Sequence, residues 1–331
     1  MSLLSPKVPA LNDPVLVNEW MAVATAADIS KPTRVSVLGE DLVVWRSSTG
    51  VHAFRDLCIH RGTALSLGKV SDDQLVCPYH GWHFNGEGQC TLIPAQPNMP
   101  IPTKAKAFSY PCEEKYGLIW VSLGSPAHGV PEFMEADDQA FHTIICGPYI
   151  VNAEAPRVIE NFLDVSHLMW VHEGFLGVPE HSVIPEYHVH EREGKLVTDT
   201  ITVFQPDPDG RGKDVNNDYV YQVLRPLTVQ FTKTDDQGSD VFAIMLHTTP
   251  LAHRKTMAYA VLTRNYGFEL DDKQFSDFQD KIFSQDETIL LSQRPEELPL
   301  DLAAELHIKS DRLAIAYRKW LRDLGVEVGV A

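Results

Sequence analysis

The sequence has neither a long apolar run nor a cluster of basic residues. No stretch approaches the roughly 18 consecutive apolar residues that a membrane-spanning helix needs, and three prolines interrupt Met1–Trp20 before a signal peptide can form. Lys and Arg total 28 against 45 Asp and Glu, which gives a net charge of −17. Because no Lys- or Arg-rich segment offsets this acidity, we expect a cytoplasmic protein that binds neither nucleic acid nor membranes.

Two further absences concern cofactors. The sequence has no GxGxxG fingerprint after a predicted strand, so no nicotinamide or flavin domain is expected. Cysteine is scarce, with five residues among 331. A small, odd number of cysteines in a reducing compartment favours metal binding or a reactive thiol over a disulfide framework.

Length and composition predict two packed domains of the α+β class. The chain is 44% hydrophobic and 22% charged, as in ordinary globular proteins. Short alternating strands in the first third predict an all-β module, and two glycines and two prolines in GSPAHGVPEF mark a linker. We therefore expect domains at residues 1–125 and 126–331.

The second domain is predicted to combine a large antiparallel sheet with helices. Four strand-like runs lie between residues 195 and 266, interrupted by a polar loop at 205–218 that we expect to face solvent. Helical periodicity appears at 160–172, at 275–293 and at 310–325, where Ser310 is the expected N-cap.

Two Cys-His pairs are the first candidate site. Cys58-Ile-His60 and Cys77-Pro-Tyr-His80 are separated by sixteen residues and can converge on one metal centre. A closed tetrahedral zinc site is one interpretation. A glycine closely follows each pair, however, and such loops supply backbone N–H groups that can approach bridging sulfides, which favours a [2Fe–2S] cluster with two Cys and two His ligands.

The remaining cysteines lack histidine neighbours. We expect Cys90, Cys112 and Cys146 to be buried small hydrophobic residues.

A second candidate site lies in the predicted helix at 160–172. Asp164 and His167 are three residues apart, and His172 follows near the expected helix end. Two imidazoles and one carboxylate form the facial triad that leaves open positions on Fe(II). Asn161 and Gln293 are candidates for contacts around this iron.

The first motif closely resembles that of the Rieske non-heme iron oxygenases. Neither cluster loop contains the extra cysteine of the respiratory Rieske proteins. The resemblance implies that Cys58 and Cys77 bind the inner iron of a [2Fe–2S] cluster and that His60 and His80 bind the outer iron.

The second motif is similar to the N-x-x-D-x-x-H-x-x-x-x-H signature of the same family. The resemblance implies that His167 and His172 bind a mononuclear Fe(II), with Asp286 as the third ligand. Asp280 and Glu287 are the rival carboxylates. It further implies that Asp164 bridges His167 to His80 of a neighbouring subunit, in a homotrimer.

The resemblance implies the oxygenase component of a multicomponent Rieske system. Such a protein uses O2 to hydroxylate or demethylate a small, aromatic or heterocyclic organic substrate, and a separate NAD(P)H-dependent reductase or ferredoxin supplies the electrons. The short chain resembles the vanillate and dicamba O-demethylase branch, so monooxygenation is expected rather than ring cis-dihydroxylation. A Rieske electron-transfer protein with a ligand-binding domain is the alternative of another class.

Overall fold

The computed structural model describes residues 11–209 and 211–331. These residues form two compact units, one built on Val17–Val130 and the other on Asp13–Leu16 and Pro131–Ala331. The assignment of residues 1–125 and 126–331 to two functional domains stays a prediction. No helix in the described ranges has the length and apolar character needed to cross a membrane.

The first unit consists of three small antiparallel sheets. Their orders are β1-β11-β10, β2-β3-β4-β9 and β5-β6-β7-β8. The strands are β1 (Met21–Thr25), β2 (Thr33–Val37), β3 (Glu40–Ser47), β4 (Gly50–Arg55), β5 (Lys69–Ser71), β6 (Gln74–Val76), β7 (His83–Phe84), β8 (Cys90–Leu92), β9 (Ser109–Tyr110), β10 (Cys112–Lys115) and β11 (Leu118–Val121).

The core of this unit extends to the cysteine loops. Trp45 and Phe54 pack with Cys58 and Cys77 in one buried cluster. Cys90 belongs to the same cluster. Both loops are therefore anchored in the core by their cysteines.

The second unit is an eight-stranded antiparallel sheet covered by helices. The order is β12-β19-β18-β17-β16-β14-β13, and β15 also pairs with β16. The elements are α1 (Met134–Asp137), β12 (His142–Val151), α2 (Ala155–Leu163), α3 (Leu168–Val171), β13 (Val189–Arg192), β14 (Lys195–Thr198), β15 (Ile201–Gln205), β16 (Val215–Arg225), β17 (Thr228–Asp235), β18 (Val241–Ala252), β19 (Lys255–Arg264), α4 (Asp272–Ser292) and α5 (Arg312–Leu324). The predicted α+β class is confirmed.

The helix predicted at 160–172 is broken in the structure. α2 ends at Leu163, and Asp164 has an extended backbone. The Asp164 carboxylate accepts a hydrogen bond from the Ser166 amide at 2.7 Å, and this local bond competes with continuation of the helix. The periodicity predicts that Asp164 and His167 share a helical face. They do not, because the helix ends before Asp164.

Smaller differences also have local causes. Strand pairing of Val215–Arg225 with β15 shortens the expected polar loop to residues 206–214. α5 has Asp311 rather than Ser310 as its N-cap and ends at Gly325 with φ +83°, a left-handed conformation that glycine adopts readily. Cys112 is partly exposed, unlike the buried Cys146.

Candidate functional site

The two cysteine loops have the same backbone geometry. The Gly62 amide donates to the Cys58 carbonyl at 2.8 Å, and the Gly81 amide donates to the Cys77 carbonyl at 3.0 Å. In each loop the cysteine amide donates to the carbonyl five residues later. The two glycines have φ of +71° and +68°, a region that side chains with a Cβ disfavour. These turns let each Cys-His pair present its side chains from one loop tip.

The side chains of the two loops meet in pairs, cysteine with cysteine and histidine with histidine. The Cys58 and Cys77 thiols are buried, whereas His80 is exposed and its Nδ1 lies 3.2 Å from Nδ1 of His60. Trp82 stacks on the His60 ring with centroids 4.6 Å apart. Burial raises the pKa of the Cys58 thiol to about 11, so a thiolate there needs a neighbouring cation such as a bound metal ion.

Three side chains of the second unit converge on another point. Nε2 of His167 lies 3.1 Å from Nε2 of His172. Oδ1 of Asp286, on α4, lies 3.5 Å from the first nitrogen and 3.2 Å from the second. A metal ion with bonds of about 2.1 Å at right angles holds its donor atoms about 3 Å apart. The donor set and its spacing therefore fit one metal ion with open positions.

The rival carboxylates lie elsewhere on α4. Asp280 accepts a hydrogen bond from the Tyr149 hydroxyl at 2.6 Å. In the described ranges, the group of metal-binding side chains around His167 includes Asp286 but neither Asp280 nor Glu287.

Two family models match the chain. The Rieske [2Fe-2S] domain covers residues 19–109, and the vanillate O-demethylase oxygenase C-terminal domain covers residues 151–327. Methylxanthine N1-demethylase NdmA of Pseudomonas putida is 34% identical over 319 residues, which cover 92% of this chain and 88% of that protein. The chain belongs to the Rieske non-heme iron oxygenases.

Other relatives agree. Methylxanthine N3-demethylase NdmB of Pseudomonas putida is 28% identical and aligns with 96% of the oxygenase and 92% of its own length. The structure of Pseudomonas putida CBB5 NdmA with caffeine matches with a TM-score of 0.83 and 31% identity, over 93% of the oxygenase and 90% of that chain.

This membership confirms the predicted cofactors and reaction class. The oxygenase uses a Rieske [2Fe–2S] cluster and a mononuclear Fe(II). It is the oxygenase component of a multicomponent system that hydroxylates or demethylates a small organic substrate. The two alternatives, a zinc site and a Rieske protein for electron transfer only, do not agree with this membership.

The predicted neighbours of the mononuclear centre are Asn161, Gln293 and Asp164. The Asn161 amide donates to Oδ1 of Asp286 at 3.4 Å. Gln293 instead lines a neighbouring cavity together with Asp164. Oδ2 of Asp164 is 3.9 Å from Nδ1 of His167, beyond hydrogen-bond distance. That nitrogen is buried and has no hydrogen-bond partner in the described part of the chain.

The sequence reasoning missed Gln285. Its Oε1 accepts a hydrogen bond from Nδ1 of His172 at 2.9 Å. This bond sets the His172 tautomer, so that Nε2 keeps its lone pair for the metal. A glutamine on a polar helix carries no sequence signal of its own, and only the approach of α4 to α3 reveals the contact.

A cavity of about 830 Å³, including its mouth, opens at this centre. Its lining includes the three metal-binding side chains. From α4 it takes residues at helical spacing, and from the sheet it takes alternate residues. The lining comprises Val158, Asn161, Phe162, His167, Leu168, His172, Leu176, Pro208, Asp209, Tyr219, Tyr221, Phe231, Lys233, Phe242, Ile244, Leu246, Leu262, Phe275, Phe278, Gln279, Ile282, Phe283 and Asp286. Trp170, on α3 between the two histidines, is 63% exposed and is not part of this lining.

Aromatic side chains dominate the cavity wall next to the metal centre. Phe162 stacks on Phe231 with centroids 5.2 Å apart. Tyr221 packs against the same ring at 5.6 Å, and burial raises the pKa of its phenol, which stays protonated. Flat apolar walls of this kind bind a planar ring and exclude water.

Proposed function

We propose that the oxygenase removes a methyl group from an N- or O-methylated planar aromatic or heterocyclic substrate by monooxygenation. The observation that carries this proposal is the aromatic wall that Phe162, Phe231 and Tyr221 form in the cavity of the His167 metal centre. A planar ring that packs flat on this wall presents an edge, and a methyl substituent on that edge, to the metal centre. The N-demethylase names of two relatives support the same reaction.

The reaction balances with one O2, two electrons and two protons. One oxygen atom enters a methyl C–H bond, and the other leaves as water. The resulting N- or O-hydroxymethyl group breaks at its bond to nitrogen or oxygen, which releases formaldehyde and the demethylated product. Bound Fe(II) supplies the activation of O2, and the protein walls hold the methyl group in place and keep water out.

We assign the metal ligands by their geometry. Cys58 and Cys77, with His60 and His80, hold the Rieske cluster. Their support is the pair of matched loops and the 3.2 Å approach of the two imidazoles.

The mononuclear iron takes its ligands from two segments. We assign His167, His172 and Asp286 to it, because their donor atoms lie within 3.5 Å of one another. Asn161 and Gln285 orient two of these ligands.

Asp164 is proposed as the bridge to a neighbouring subunit in a homotrimer. Its side chain is 39% exposed and lies on the Nδ1 side of His167. In this arrangement Asp164 joins His167 to His80 of the next subunit, and a head-to-tail interface of this kind closes into a ring. A separate NAD(P)H-dependent reductase or ferredoxin delivers the electrons.

The test is product analysis with reconstituted electron supply. A panel of N-methylxanthines and methoxybenzoates is turned over with a Rieske reductase, and formaldehyde is measured against substrate consumed. We expect one formaldehyde per demethylated product. A cis-diol with two atoms from labelled O2 as the main product would refute demethylation and leave the metal assignments intact.

A further inference from the structure

Two charged side chains that line the cavity, Lys233 and Asp209, lie outside the metal-binding group. Lys233, on β17, is 4% exposed and lines the same cavity as the metal centre. Burial lowers the pKa of its ammonium group to about 8. Burying a lysine costs free energy unless a partner compensates it, so its position calls for a role.

The position of Lys233 along the cavity follows from strand register. Phe231 and Tyr221 face each other across β17 and β16, and Lys233 and Tyr219 form the next pair on the same face. Two residues along a strand span about 6.7 Å. Phe162 of α2, which precedes the metal-binding histidines in the chain, stacks on Phe231. Lys233 lies one residue pair further along the sheet than Phe231.

The ammonium group has few fixed partners. Nζ donates to the Pro208 carbonyl at 3.0 Å and lies 4.8 Å from the Phe242 ring centroid. Within residues 11–209 and 211–331, Nζ makes no other hydrogen bond, ion pair or ring contact. An ammonium group has three N–H donors, so two remain for an acceptor in the cavity.

The nearby carboxylate is already engaged. Asp209 accepts hydrogen bonds from Nε of Arg211 at 2.7 Å and from the Tyr266 hydroxyl at 2.9 Å. Arg211 also contacts Asp240 at 3.2 Å. Asp209 lies near enough to favour the charged form of Lys233, but no hydrogen bond or ion pair joins the two side chains in the described residues.

We propose that Lys233 is a specificity-determining residue that binds an acceptor oxygen of the substrate, a ring carbonyl or a carboxylate, at the end of the cavity away from the iron. This inference rests on the proposed demethylation, which places a methyl group of the substrate at the iron. With its oxygen held at Lys233 and its ring packed against the aromatic wall, the substrate presents its opposite edge, and the methyl group there, to the metal centre. Methylated aromatics without such an oxygen bind weakly.

The test measures binding without turnover. Oxidised holoenzyme, with no reductase present, is titrated by calorimetry with 4-methoxybenzoate, with caffeine and with 4-methoxytoluene, which resembles the benzoate in shape but has no acceptor oxygen at that end. Wild type is expected to bind at least one of the first two at least about tenfold more tightly than the toluene, as a charge-assisted hydrogen bond provides.

Two substitutions separate charge from hydrogen bonding. Lys233→Met is expected to abolish the preference for both acceptor probes. Lys233→Gln keeps N–H donors without the charge, so it should retain a preference for the caffeine carbonyls and lose any preference for the carboxylate. Lys281→Met is the matched control, because Lys281 is exposed and its Nζ lies over the Phe175 ring; it should behave as wild type.

Two results would overturn the role of Lys233. One is a wild-type enzyme that binds neither acceptor probe more tightly than 4-methoxytoluene. The other is a Lys233→Gln or Lys233→Met variant with an intact Rieske spectrum that weakens all probes equally, as a purely structural lysine would. Selective binding through Lys233 without formaldehyde release in the product assay would refute the proposed demethylation alone.

Discussion

At the scale of single residues, the two nitrogens of His172 have different partners. Nδ1 is held by Gln285, and Nε2 points at His167 and Asp286. The Asp286 carboxylate also accepts from Asn161. Two of the three proposed ligands, His172 and Asp286, are thus oriented by a neighbour without a metal ion, which lowers the cost of assembling the site.

Asp286→Ala is expected to lose the mononuclear iron and to reduce turnover by more than the roughly 10–100-fold that loss of an outer partner costs. The Rieske spectrum should persist, because the cluster uses other ligands. Glu287→Ala is the matched control, one residue further on α4 and outside the ligand group. Iron content and visible absorbance of both variants check this; iron loss in Glu287→Ala and not in Asp286→Ala would exchange their roles.

Asp164→Asn is expected to keep both metal centres and to slow electron delivery to the mononuclear site. The carboxylate lies 3.9 Å from the nearest His167 nitrogen and is not in the ligand group, so the substitution alters a bridge and no ligand. Single-turnover kinetics with pre-reduced cluster measure the rate, and metal analysis is the control. Iron loss in this variant would place Asp164 among the ligands.

At the scale of elements, α4 connects the substrate cavity with the metal centre. Phe275, Ile282 and Asp286 lie on one face of this helix and line the cavity. The same helix carries Gln285 one residue before the ligand. A shift of α4 would therefore change the cavity wall and the iron site together.

The two loops of the Rieske cluster depend on each other for their stability. Cys58→Ser is expected to remove the Rieske chromophore and to lower the melting temperature of the first unit by at least about 4 °C, because the cluster ties two loops together. Cys90→Ser is the control, since Cys90 lies in the same buried core without a histidine partner. Retained red-brown colour in Cys58→Ser would contradict the ligand assignment.

At the scale of the whole molecule, the oxygenase depends on a protein that delivers electrons. The sequence has no dinucleotide fingerprint, and the family models that match it are a Rieske domain and an oxygenase domain. The proposed homotrimer would place each Asp164 next to the cluster of another chain.

NADH alone is therefore expected to support no turnover by the purified oxygenase, and addition of a Rieske reductase should restore it. Oxygen consumption and formaldehyde release measure both conditions, with heat-inactivated reductase as the control. Turnover by the isolated chain with NADH and O2 would reveal a cofactor site that the sequence does not indicate.

The sequence by itself determined the metal chemistry, the fold class and the family. Cys58 and His60, like His167 and His172, are close in the chain, so their spacing already brings the proposed ligand pairs together. Asp286 was predicted by resemblance, because Asp280 and Glu287 on the same helix offer the same carboxylate. Only the tertiary structure shows that Asp286, and neither rival, lies beside the two histidines.

Tertiary structure alone also decided the break at Asp164, the contact of Gln285 with His172 and the presence of Lys233 in the cavity. At Asp164, the hydrogen bond that its carboxylate accepts from the Ser166 amide competes with the helix that the periodicity predicts. The other two depend on strand register and helix packing between segments distant in the chain. Such contacts leave no periodic signal in the sequence, because they are set by how whole elements bury their apolar faces against one another.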